Sequence, residues 1–152
     1  MAAELASRGI EPSRVEVELT ESVVVDDPAT AALRLGEPNA AGFSTALDDF
    51  GTGCSSIGHL DQLSFDTVKI DRSFVSGQRA PDERRALVSA MIAPGRALGP
   101  RVVCAGVEQG REVERLTRLG CGLLRGFHLD HAMSIDDLAA RWLGAPIEHA
   151  AA

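Results

Sequence analysis

Five short apolar runs alternate with helical stretches along this chain, and that alternation limits the fold more than any other feature. Residues 14–20 (RVEVELT) alternate polar and apolar side chains with period two, the mark of a half-buried strand. Residues 43–47 (FSTAL), 67–70 (TVKI), 101–105 (RVVCA) and 121–129 (CGLLRGFHL) are the other strand candidates. Helix candidates lie at 28–35, 57–63, 82–98, 107–119 and 134–143. Ser134 can cap the last of these, with Asp136 and Asp137 in its first turn, where the helix dipole favours them. Repeated strand and helix give an α/β class with a parallel sheet. Pro38 and the Pro94-Gly95 pair interrupt helical patterns, so a break or kink is expected at each.

Composition narrows the class of function. With 152 residues, 45% of them hydrophobic, the chain has the make-up of one globular domain. No apolar run reaches the roughly 18 residues of a membrane span, and the start carries no signal-peptide pattern. A net charge of -7 argues against a broad DNA- or RNA-binding surface. Cys54, Cys104 and Cys121 lack metal-site spacing, which points to a reducing cytoplasm. The 15 basic residues are all Arg except Lys69, which stands out as a compact cation with a tunable pKa.

Polar residues gather at the strand ends. Glu18 and Glu21 end the first, Asp48 and Asp49 the second, and Lys69 with Asp71 the third; Glu108 follows the fourth, and Arg125 lies in the fifth. In parallel α/β folds the C-terminal strand ends form the active face. Asp48 and Asp49 open the stretch DDFGTG. Adjacent strand side chains point to opposite faces, so both carboxylates reach one site only where the chain curls, as Gly51 and Gly53 permit. Such hard oxygen donors suit Mg²⁺ or Mn²⁺. Lys69 and Asp71, two apart on one strand face, suit a phosphate-facing cation held by its own carboxylate. His128 and His131 have no evident third ligand. Trp142, at helical spacing from Leu138, reads as core, and Arg84, Arg85, Arg115 and Arg118 read as helix-surface charges.

In this order, ELTES (18–22), LDDFGTGCSSIGHL (47–60), FDTVKID (65–71), VVCAGVE (102–108) and LGC (119–121) resemble EAL domains, the bacterial cyclic di-GMP phosphodiesterases. The resemblance runs from about Gly9 to Leu138. It implies a partial TIM-type (β/α) barrel of about five β/α units. Residues 1–145 would be the C-terminal portion of such a domain and 146–152 a disordered tail. By the same resemblance Glu18, Asp48 and Asp49 would be metal ligands for Mg²⁺ or Mn²⁺, and Glu21 would steady the DDFG loop. Lys69, near the attacking water, and Glu108 would be catalytic, and Asp71 and Arg125 would bind substrate. The implied reaction converts cyclic di-GMP to the linear pGpG in the bacterial cytoplasm.

Two departures shape the expectation. Ala105 stands where the family carries the first Glu of its AEGVE element, its general-base candidate, and Arg125 stands where the family carries Gln. Loss of a general base typically removes about 10²- to 10⁴-fold in rate. The Glu-Ala-Leu segment is absent from this sequence, and a full barrel of this type has roughly 250 residues. The expectation is an impaired or inactive hydrolase, with a non-catalytic cyclic di-GMP-binding or protein-interaction module, or a truncated remnant, as alternatives. A marginal monomer, a homodimer or complementation by a partner chain at the open barrel edges is expected.

Overall fold

A computed structural model describes residues 2–53, 63–76 and 80–144. In chain order it holds α1 (Ala2–Ser7), a 3-10 turn (Pro12–Arg14), β1 (Glu16–Thr20), α2 (Glu21–Asp26), α3 (Pro28–Ala40) and β2 (Ser44–Phe50). There follow β3 (Thr67–Ile70), α4 (Arg72–Val75), α5 (Pro81–Leu98), β4 (Arg101–Ala105), α6 (Gly110–Arg118), β5 (Leu123–Arg125) and α7 (Ile135–Trp142). The expected helix at 57–63, with His59 and Cys54 beside it, falls largely or wholly outside the described residues, as does the tail.

The five strands are parallel and lie in the order β1-β2-β3-β4-β5. Sequential order with no reversal is the winding of a (β/α) barrel wall; a doubly wound sheet would change direction at a switch point. The core supports the same reading because it lies on one face of the sheet. Leu47, Val68, Ile70, Val102 and Cys104 pack there against Leu35, Val88, Ile92 and Leu116 from the helices. The opposite face carries Glu16, Glu18, Thr67, Lys69 and Arg101, which bond to one another. Period-two alternation along each strand separates the two sets.

The proline-bearing helices are continuous. α3 runs from Pro28, with Asp27 as its cap accepting from the Thr30 amide at 3.0 Å, through Pro38 to Ala40. α5 runs through Pro94 to Leu98. Gly95 has a packing reason: a Cβ there would fall 2.2 Å from Val102 Cγ2, so the glycine lets α5 lie directly on β4. Ser134 caps α7, with Asp137 N–H donating to its Oγ at 3.1 Å. Trp142 is not core: it is 68% exposed, and Leu138 is exposed beside it, because nothing among the described residues covers that face of α7. Cys121 Sγ donates to Val102 O at 3.4 Å and ties the α6–β5 turn to β4. No described helix is long and apolar enough to cross a membrane.

Candidate active site

The polar sheet face centres on Lys69. Its Nζ bonds Glu18 Oε1 and lies 3.4 Å from Glu16 Oε1. β2 runs between these strands, and its residue beside Glu18 and Thr67 is Ala46, whose methyl leaves the path open. Burial alone would lower the Lys69 pKa, but the hydrogen bonds and charges of Glu18 and then Glu16 outweigh it and hold the ammonium above the ordinary 10.5. The ladder continues across the sheet. Thr67 Oγ1 donates to Glu16 Oε2 at 2.7 Å, and Arg101 Nη2 donates to Thr67 Oγ1 at 3.0 Å. The carboxylates that hold Lys69 therefore come from β1, and not from Asp71 as its spacing suggested. Asp71 is turned away as the cap of α4, its Oδ1 accepting from the Ser73 amide at 2.9 Å. Those bonds outweigh burial and bring the Asp71 carboxyl below its ordinary range.

The Asp48-Asp49 pair sits where β2 loses its regular register against β3, between Leu47 and Phe50. Asp49 has φ +56°, the left-handed region, and Gly51 has φ +99°. The curl thus begins at Asp49 itself, before the glycines. Asp and Asn tolerate this backbone better than most residues. At Gly51 a Cβ would fall 2.5 Å from Met91 Cε and 2.8 Å from Phe74 Cε2. The turn is held from below. Glu21, 1% exposed as the first residue of α2, accepts from the Gly51 and Gly53 amides through Oε2, each at 2.9 Å. Burial, then the charges of Asp48, Asp71 and Glu21, raise the Asp49 carboxyl above its ordinary range.

Over residues 1–132 the sequence matches the family described as EAL domain. This chain belongs to the EAL domain family. It is 39% identical over 136 residues to the bifunctional diguanylate cyclase/cyclic di-GMP phosphodiesterase MucR of Pseudomonas aeruginosa, covering 90% of this chain and 20% of MucR. The solved PaMucR phosphodiesterase, a c-di-GMP complex, superposes with a TM-score of 0.83 at 38% identity, covering 90% of this chain and 55% of that one. The EAL domain of Mycobacterium smegmatis DcpA gives 0.84 at 35% identity, covering 96% and 66%. Klebsiella pneumoniae BlrP1, solved with manganese and cyclic di-GMP, gives 0.76 at 30% identity, covering 83% and 32%. The chain thus spans a fifth of the length of MucR.

Other site candidates of this EAL domain lie along the same strand ends. Ala105 closes β4 and pairs in register with Arg125 of β5. Glu108 is exposed in the loop that follows, its N–H donating to Glu112 Oε2 at 2.8 Å. His131 stacks on Phe127 at 4.9 Å. The donor chemistry fits a hard divalent cation: Asp48, Asp49 and Glu18 offer oxygen only, and Lys69 stands as a cation beside Glu18. Among the described residues no three His, Cys, Asp or Glu side chains are grouped to hold an ion. Sequence reasoning missed Glu16 and Arg101 in this ladder. The period-two run that holds Glu18 already put Glu16 on the same face.

Proposed function

We propose that this EAL domain binds cyclic di-GMP with the help of a divalent cation and hydrolyses it poorly, because Ala105 removes the general base. The observation that carries the reading is the Glu18–Lys69 pair on the polar sheet face beside the Asp48-Asp49 curl, at the positions where the family resemblance expects metal and substrate. Asp48, Asp49 and Glu18 are the residues that would hold the cation. When bound, such an ion neutralises phosphoryl charge and makes a water more acidic.

The protein's own groups then have distinct tasks. Glu21 fixes the backbone of the turn that follows Asp48 and Asp49, and their carboxylates would gather with Glu18 around the ion on binding. Lys69 presents a buried positive charge to a phosphodiester, and Glu18 and Glu16 orient its ammonium. Arg125 offers a guanidinium at the β5 end and Glu108 a carboxylate in the loop after β4, while Asp71 caps α4 at the end of β3 and would reach substrate only by giving up that cap. At Ala105 a methyl group can neither take a proton from water nor hold a cation, so the hydrolytic step lacks its base. Among the described residues β1 and β5 each pair on one side only, which would let a second chain pair there; sedimentation of the full chain tests for a dimer.

The test is calorimetric titration of cyclic di-GMP with Mn²⁺ or Mg²⁺ and with EDTA, followed by chromatography for pGpG. Cation-dependent binding with little or no pGpG supports the reading. Rapid conversion to pGpG removes the assigned defect at Ala105. Absence of binding in the wild-type chain, with Asp48→Ala as reference, removes the site itself.

A further inference from the structure

The helical side of the sheet, opposite the Glu16–Lys69 ladder, carries a second charged feature. A groove of about 400 Å³ lies between α5 and α6 and is lined by Arg84, Arg85, Arg111, Arg115 and Arg118. Against these five cations the lining holds two carboxylates, Asp82 and Glu112. Glu112 is already committed, since its Oε2 accepts from the Glu108 and Gln109 amides at 2.8 and 3.0 Å. Asp82 lies 3.7 Å from exposed Arg85. Arg118 lies 3.6 Å from Glu114, which is outside the lining. The lining itself still sets five cations against two carboxylates, on a chain whose net charge is -7.

The arrangement works against the helix that carries it. Arg111, Arg115 and Arg118 are three and four residues apart on α6, where like charges repel. Arg115 Nη2 donates to Val75 O at 2.6 Å, and Arg84 Nη1 reaches the same carbonyl at 3.4 Å. One uncharged oxygen thus draws two guanidinium groups together. Among the described residues, Arg115 Nε is buried with no hydrogen-bond partner. Burial and the charge of Arg84 push the Arg115 guanidinium below its ordinary range. A bound oxyanion would offset the clustered positive charge, and the guanidinium fork matches phosphoryl oxygens in bidentate geometry.

We infer that the α5–α6 groove is a binding site for the phosphoryl group of a small anion, with Arg115 at its base and Arg111 and Arg118 at its rim. The volume is within the range of small-molecule pockets and exceeds what a single inorganic phosphate fills. The groove lies on the helical side of the sheet, and its base is tied through Val75 O to α4, the helix whose Phe74 packs against Gly51.

The experiment follows the arginine Nε–Hε resonances of the full chain by NMR while inorganic pyrophosphate is added in EDTA, with sodium chloride at matched ionic strength as control. The Arg115 signal is expected to shift saturably with pyrophosphate and not with chloride. The double variant Arg111→Gln, Arg118→Gln changes exposed side chains and is expected to melt at or slightly above the wild-type temperature, as relief of like-charge repulsion requires, while binding at least about tenfold more weakly. Arg115→Lys keeps the charge and loses the fork, and it is expected to weaken binding as well. A signal that ignores pyrophosphate overturns the proposal, as does equal binding by the double variant. Equally tight capture of an oligo-aspartate peptide overturns the phosphoryl assignment.

Discussion

Glu21 Oε2 stands 2.9 Å from the Gly51 amide, across thirty residues of sequence, and it takes the Gly53 amide at the same distance. One buried carboxylate oxygen therefore fixes both ends of the turn that follows the aspartate pair. Replacing it with alanine strands two inward-facing donors. Glu21→Ala is expected to cost about 3 kcal/mol in urea unfolding, and Glu21→Gln clearly less, because an acceptor oxygen remains.

Asp49 combines a left-handed backbone with three neighbouring carboxylates. Asparagine keeps the backbone tolerance and removes the repulsion. Asp49→Asn is therefore expected to raise the melting temperature at neutral pH, and, under the proposed cation site, to melt at the same temperature with and without Mn²⁺. A lowered midpoint would show that like-charge repulsion is not what Asp49 experiences.

Gly95 reverses the usual rule for helices. Propensity alone says that Gly→Ala in a helix interior stabilises by about 1 kcal/mol. Here the added Cβ meets Val102 Cγ2, so Gly95→Ala is expected to destabilise by about 1–3 kcal/mol. In a Val102→Ala background, denaturant unfolding is expected to restore the favourable sign.

Asp71 gives the pH dependence. Its carboxyl lies below the ordinary 3.8 in the folded chain, so its stabilising effect is present above that value and fades as pH falls through the folded pKa. Asp71→Ala is expected to cost about 1 kcal/mol at pH 7, the value of a helix cap. The difference from wild type is expected to vanish in acid melts taken below the folded pKa.

Ala105→Glu tests the missing base. The side chain sits half-buried at the C-terminal end of β4 beside Arg125, where the strand runs out into the exposed loop that holds Glu108. Turnover of cyclic di-GMP to pGpG is expected to rise by about 10²- to 10⁴-fold. An unchanged rate would place the limiting defect elsewhere in the chain.

The strands were readable because their signals are local. TVKI and RVVCA are short, β-branched and bounded by turn residues, and the structure keeps both as β3 and β4 without shift. α2 was not readable, because ESVVVD carries three valines in a row and reads as strand. The partners of Lys69 were hidden for a different reason. Glu18 lies fifty-one positions away, and the nearer Asp71 offered a plausible carboxylate that in fact caps α4. Trp142 shows the limit of helical spacing, which tells which residues share a face but not what covers it. The arginine groove was likewise invisible, since each arginine taken singly is an ordinary helix-surface charge.

The alternation along β3 carries a consequence for how this chain tolerates change. Val68 and Ile70 belong to the core, and Thr67 and Lys69 to the ladder, so odd and even positions answer to different demands. A slip of one residue would drive the ammonium into the core and expose the aliphatic pair, an error the fold penalises on both faces together. Substitutions that preserve parity meet no such penalty. Ala105, four residues after Arg101 on β4, shares the ladder's parity, so a change there leaves the core side of the strand untouched.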